Sequence, residues 1–227
     1  MSGRDILAAL SVAIVWGLSF IAIKVGVGET SPLMLAALRF LFAAVPMVFF
    51  LPPPKAPALS VGLYGLLIGV GQFGLLFLAI HDGFPAGLAS LVIMAQVFFT
   101  IALAWLIFSE RPRRAQVIGS LVGFLGMAVI GSERLAGASL GPFLMIILAA
   151  LFWGAGNVLA KSVGKVDMLA FTVWSSLAAP LPLIALSLAV EGPGGLAALA
   201  HPGWKLVVSV LVLSYGGTLL AMAYGCA

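Results

Sequence analysis

Apolar runs long enough to cross a bilayer follow one another along almost the whole 227-residue chain, and nothing else constrains its fold as strongly. A membrane helix needs about 20 consecutive apolar residues. Eight such runs stand at 6–25, 33–51, 59–80, 86–108, 116–131, 142–160, 168–190 and 204–224. The connections between them are short and carry helix breakers: Pro52-Pro53-Pro54-Lys55, His81-Asp82-Gly83, Ser109-Glu110-Arg111-Pro112 and Glu191-Gly192-Pro193-Gly194. These read as turns, not linkers. The expectation is an all-α, polytopic membrane helix bundle with no soluble domain. Composition agrees, since 63% of residues are hydrophobic and 8% are charged, against about 25% charged in a soluble domain. A water-soluble chain of this size could not hide so much apolar surface. The first run continues to Ile23 and others follow it, so it reads as a first membrane helix and not a cleaved leader.

The net charge of +4 comes from eleven Lys and Arg residues that sit in turns and form no stripe. Nucleic acid is therefore not expected as a partner. Basic residues instead set orientation, because they are held on the cytoplasmic side. With the N-terminus inside, that side carries Arg4, Lys55, Arg111, Arg113, Arg114, Lys161 and Lys165, and the other carries Lys24, Arg39, Arg134 and Lys205. The excess predicts a cytoplasmic N-terminus. The single cysteine, Cys226, allows no internal disulfide.

The chain also repeats itself. An offset of 137 residues relates Trp16-Gly17 to Trp153-Gly154 and Lys24 to Lys161, and an offset of 136 relates Pro46 to Pro182. The expected division is a first repeat at 1–135 with helices one to five, and a second at 136–227 with helices six to eight. Five helices is an odd number, so the second copy enters from the opposite face, as in transporters built for alternating access. On this reading the second repeat is incomplete, with about eight of ten helices present. A complete pair would need about 280–300 residues by doubling the repeat. A partner chain, or a second copy of this one in a homo-oligomer, could supply the missing helices.

Polar groups at membrane depth are costly, so they mark candidate function. Arg39 stands about two turns into the second run. It either snorkels to headgroups or holds an anionic group, and its depth decides between them. Gln72, Gln96 and Asn157 lie inside the third, fourth and sixth runs. Each amide needs a partner where there is no water. Singly each reads as interhelical glue; as a set, at similar depth, they read as the lining of one cavity. Trp16 and Trp153 sit mid-helix, away from the interfacial belts where Trp collects, and serve either packing or the wall of a path. Glycines crowd the third run (Gly65, Gly69, Gly71, Gly74) and the fifth (Gly119, Gly123, Gly126), which predicts close helix contacts there. Pro46, Pro180 and Pro182 should kink their helices.

All seven acids and both histidines fall at or near segment ends. No carboxylate relay, zinc motif or phosphate loop is expected, and neither is a metal or cofactor. No nucleophile pairs with a base inside the membrane, so an enzyme is not expected.

Three stretches carry a family resemblance. They are Val15-Trp16-Gly17 through Ile23-Lys24-Val25-Gly26 with Ser31-Pro32 through Arg39-Phe40, then Phe84-Pro85-Ala86-Gly87-Leu88-Ala89-Ser90-Leu91, then Glu110-Arg111-Pro112. Over most of residues 1–180 the chain resembles the EamA branch of the drug/metabolite transporter superfamily. The 85–90 run with Gln96 beyond it is similar to that branch's exporters of O-acetylserine and cysteine. The resemblance implies a bacterial inner-membrane protein of ten helices in two inverted repeats, with a central path for a small-molecule substrate. It implies export of amino-acid-like metabolites, cysteine, O-acetylserine or related. On that path the candidates are Trp16, Arg39, Gln72, Gln96, Trp153 and Asn157. Ser175 stands at the repeat-related position of Arg39, so the site is expected to be asymmetric. The alternative reading is a membrane subunit that does not itself transport, or an inactive truncated fragment.

Overall fold

The computed structural model describes residues 3–134 and 140–220. Cys226 and the last residues of the eighth apolar run lie outside them. Among the described residues all eight runs form helices, and one short helix joins them. In chain order they are α1 (Gly3–Gly26), α2 (Pro32–Ala44, with a 3-10 turn at Met47–Phe49), α3 (Ala58–His81), α4 (Ala86–Phe108), α5 (Arg114–Arg134), α6 (Leu140–Val163), α7 (Met168–Glu191), α8 (Gly194–Ala200) and α9 (Trp204–Leu211, continuing through Val212–Leu220). The short α8 sits where the sequence reads as a plain turn. Gly192 turns the chain at φ 76°, and Pro193 then starts a helix that Leu196 to Ala200 sustain. The chain bends by 103° between α8 and α9.

Among the described residues, five helices are long and apolar enough to cross a membrane: α2 with its 3-10 turn, α3, α4, α6 and α7. The bent α8–α9 pair makes a sixth, while α1 and α5 contribute the shorter apolar stretches Leu10–Gly26 and Arg114–Val129. The molecule is an all-α membrane bundle. Its outer surface is apolar, with Ile14, Leu18 and Ile21 of α1 and Leu121, Val122 and Leu125 of α5 all more than half exposed. Such a surface suits lipid, which needs no hydrogen bonds from it.

Helix α2 is the centre of the bundle. Pro32 to Ala37, Arg39, Phe40, Ala43 and Ala44 are all buried. It packs against α3, α7 and α9, while α6 packs against α3 and α4, and α1 against α9 and the start of α4. The tightest contacts are at glycines of α3. A methyl built on Gly65 would overlap the carbonyl oxygen of Ser175, and one on Gly69 the Ala179 side chain. The glycines of α5 differ from expectation, because Gly119 and Gly126 face open space and Gly123 only touches Phe98. Helix α5 lies at the edge of the bundle, so its glycines have no partner helix to admit.

Prolines break two helices. Val45-Pro46 ends the α-helical part of α2. In α7 the first segment ends at Ser176 and a new one starts at Pro180, whose ring excludes the carbonyl four residues earlier. Pro182 falls inside that second segment and causes no break of its own. Helix α3 widens into a π-helix over Leu66–Gly74, and α4 tightens into a 3-10 turn over Ile93–Ala95. Both irregularities border the same central space.

The loops after α1, α3 and α7 gather at one end of the bundle, called upper here. The loops after α2, α4 and α6 gather at the lower end. Upper contacts include Thr30 Oγ1 to the Gly195 carbonyl at 3.3 Å and the Glu29–Lys205 ion pair at 3.6 Å. Lower contacts include Trp174 Nε1 to the Leu51 carbonyl at 3.1 Å and the Lys161–Glu110 ion pair.

Candidate functional site

A cavity of about 110 Å³ lies at mid-depth between α1, α2, α3, α4, α6 and α7. Helix α1 contributes Trp16, Ser19, Phe20 and Ile23, a single face at helical spacing. The widened segment of α3 brings Ile68, Gln72 and Phe73 inward, and α7 brings Thr172, Ser175 and Ser176. The volume is far above the roughly 10–15 Å³ that admits one water. It is below the ~300 Å³ of the smallest drug-sized pockets. A small metabolite matches that size.

Arg39 is the charged side chain in the lining among the described residues. It is only 4% exposed. Seven residues past Pro32, it stands roughly 10 Å down α2 by helix rise. At that depth it faces the cavity and does not snorkel to headgroups. Its guanidinium carbon lies 3.6 Å from the Phe73 ring centroid and 5.3 Å from that of Phe40. Stacking on an aromatic face suits a planar, weakly hydrated guanidinium and leaves its fork of N–H groups directed edgewise. Ser214 of α9 donates to the Arg39 carbonyl at 3.0 Å and fixes the backbone behind it. Lys24, by contrast, is exposed at the end of α1.

Gln72 is 3% exposed and lines the cavity. Trp16 and Trp153 meet edge to face, their centroids 5.9 Å apart at 65°, and both line it. They therefore pack and form wall at once. Gly154 admits Phe99 of α4, while Gly17 has nothing within 4 Å, so neither glycine serves the Trp beside it.

The three amides do not share one cavity, and here the structure departs from the sequence reading. Asn157 Nδ2 donates to Gln96 Oε1 at 2.8 Å and to Thr100 Oγ1 at 3.1 Å, and Thr100 Oγ1 donates to the Gln96 carbonyl at 2.8 Å. This triad ties α4 to α6 and borders a separate space beside α5. Ile93 and Met94 line the central cavity, Met94 borders both spaces, and Gln96 borders the second alone. Interhelical hydrogen bonds of this kind contribute about 0.6–1.7 kcal/mol. A double-mutant cycle of Gln96→Ala and Asn157→Ala, read by unfolding in mild detergent, should give a coupling within that range. A coupling near zero would rule out the bond as glue.

Sequence reasoning missed Tyr64, Phe73 and a cluster of hydroxyls on α7, of which it noted Ser175 alone, as the repeat-related position of Arg39. Thr172, Ser175 and Ser176 recur at helical spacing inside an apolar run, which is the signal that could have found them. Thr172 Oγ1 is buried with no hydrogen-bond partner among the described residues, while its carbonyl accepts from Ser175 at 3.0 Å and Ser176 at 2.7 Å.

Residues 4–132, from α1 into α5, match the model of the EamA-like transporter family. The chain belongs to that family. A "Probable amino-acid metabolite efflux pump" of Salmonella typhimurium is 40% identical over 227 residues, covering 97% of this chain and 76% of the relative. A protein of the same name from Escherichia coli is 38% identical over 228 residues, with the same coverage. An "Uncharacterized inner membrane transporter YedA" of Escherichia coli is 30% identical over 225 residues, covering 96% of this chain and 72% of the relative. No solved structure matches. This EamA-like protein is thus a membrane transporter, and the cavity around Arg39 is its candidate solute site.

Proposed function

We propose that this EamA-like transporter exports small amino-acid-like metabolites, cysteine, O-acetylserine or related, from the cytoplasm across the bacterial inner membrane. The observation that carries this reading is Arg39, a guanidinium held at mid-depth in a cavity of metabolite size. A fork of donors matches a carboxylate. Gln72 and the hydroxyls of Ser175 and Ser176 offer hydrogen bonds to the polar remainder, and Trp16 and Trp153 bound the path. The names of the Salmonella and Escherichia coli relatives, amino-acid metabolite efflux pumps, point the same way.

The mechanism is alternating access between two inverted repeats, 1–135 and 136–227. Packing supports it. If α1 exchanges with α6, α2 with α7 and α3 with α9, then the α1–α9 contact maps onto α6–α3, and the α2–α9 contact onto α7–α3. Contacts that map onto their own mates lie on the exchange axis. The α2–α7 contact does so, and so does the Trp16–Trp153 pair. With the N-terminus cytoplasmic, the lower end holding Lys55, Arg111, Arg113, Lys161 and Lys165 faces the cytoplasm, in accord with the rule for basic loops.

Binding can be read at the tryptophan pair. Adding O-acetylserine or cysteine to the purified protein in detergent should change the emission of Trp16 and Trp153, relative to a Trp16→Phe, Trp153→Phe control, and Arg39→Ala should remove the change. Emission that responds equally in the control would place the solute elsewhere.

A further inference from the structure

A hydrogen-bonded latch joins the two proposed repeats at the upper end. Helix α2 starts at Pro32, and its own flanking residue, Ser31, makes no side-chain cap. The cap comes instead from the far end of α7, where Glu191 Oε1 accepts from Leu33 N at 3.0 Å. Glu191 Oε2 accepts from Ser187 Oγ at 2.7 Å, and Ser187 Oγ lies 3.0 Å from Ser31 Oγ. Four residues thus join the beginning of α2 to the end of α7 at the upper end. A carboxylate at a helix N-terminus satisfies an orphan N–H and meets the positive end of the helix dipole.

The lower end is built differently. The start of α7 is the repeat-related counterpart of the start of α2, and Asp167 stands 136 residues after Ser31. There Asp167 caps its own helix, its Oδ1 accepting from Leu169 N at 2.9 Å and Ala170 N at 3.1 Å. So α7 keeps its cap whatever α2 does. Helix α2 keeps its cap only while Glu191 stays beside it.

We propose that Glu191, with Ser187 and Ser31, is the upper gate of transport: it holds α7 against α2 while the cavity is shut toward that end, and it must let go for the solute to leave there. This rests on the alternating-access reading above. Glu191 touches no solute and acts by positioning the two helices. Gly195 of α8 seats directly on Ser31, where an added methyl would overlap its hydroxyl, so α8 packs against the latch. The exposed Glu29–Lys205 pair nearby is screened by solvent and adds little.

The test uses the full chain carrying Cys226→Ser, with Ser31→Cys and Ser187→Cys added. Oxidation should join the two cysteines, stop transport of O-acetylserine at least about tenfold, and reductant should restore it. Failure of the cysteines to join, or transport by the joined protein at the reduced rate, overturns the gate. Absence of transport in the Cys226→Ser parent, whose latch is intact, tells against the export reading instead, and a second measurement then decides the gate without flux. Ser19→Cys, a cavity position, is labelled with a sulfonate-bearing, membrane-impermeant thiol reagent in vesicles of either orientation. Glu191→Ala should raise labelling from the upper side at least about fivefold. Glu191→Gln keeps the bond from Leu33 N and reverses the other, its amide N–H donating to Ser187 Oγ, which can then donate to Ser31 Oγ; it should stay within about threefold of the parent, a difference set by the lost dipole attraction. Ser187→Ala, which removes no charge, serves if Glu191→Ala fails to fold. Labelling unchanged in these variants overturns the proposal.

Discussion

Arg39→Ala lowers transport of a carboxylate-bearing solute by about 10- to 100-fold. Hydrogen bonds to charged groups contribute about 1.5–3 kcal/mol, and each 1.4 kcal/mol is a factor of ten. The guanidinium sits over Phe73 inside the cavity, so its loss removes the charge that would meet a carboxylate and leaves neutral groups alone, namely hydroxyls, an amide and two indoles. Arg39→Lys should restore little. An ammonium is a compact, strongly hydrated point charge that cannot stack on the ring and present a planar fork together. The measurement is solute uptake into inverted vesicles at matched protein amounts. A solute in which an amide replaces the carboxylate should respond to neither substitution. Equal loss for both solutes would mean that Arg39 supports the fold and not recognition.

Gly65→Ala is the second large effect, on stability. The built methyl overlaps the backbone carbonyl of Ser175, and it also lies 3.0 Å from Ala178. A backbone cannot rotate away as a side-chain end can, so α3 and α7 must separate. Overpacking of this kind costs about 1–3 kcal/mol. The same substitution at Gly17, which has nothing within 4 Å, should be neutral or stabilising by up to about 1 kcal/mol, since alanine suits a helix better. Thermal unfolding in one detergent compares the two directly. A Gly65→Ala protein as stable as its Gly17→Ala counterpart would show that the α3–α7 contact is looser than described.

Much of this was legible in the sequence because lipid imposes strict terms. Every run long enough to span had to be helical, and each is so over its described residues. Arg39 could be singled out because a charge at depth needs a reason, and the structure decides between headgroup and cavity in favour of the cavity. Trp16 and Trp153 could be paired by their offset before they were seen to touch.

The amides show where reading along the chain runs out. Gln72 and Gln96 lie at similar depth, but depth is set by position along a helix and direction by the turn of that helix. The local geometry of α4 at Ile93–Ala95 decides which way Gln96 points, and a run of apolar residues does not reveal it. The latch was hidden for another reason. Glu191 lies 158 residues from Leu33, and a breaker-rich turn gives no hint that its acid reaches back to another helix. The glycines of α5 misled because spacing alone does not show whether a neighbour is there to fill the space.

The central claim is that this chain moves amino-acid-like solutes outward. The most direct measurement is release of labelled O-acetylserine and cysteine from preloaded cells expressing it, against an empty-vector control, with the protein confirmed in the membrane. The account predicts faster release of both solutes in expressing cells, falling to the control rate with Arg39→Ala. Release at the control rate by the wild-type chain would contradict it.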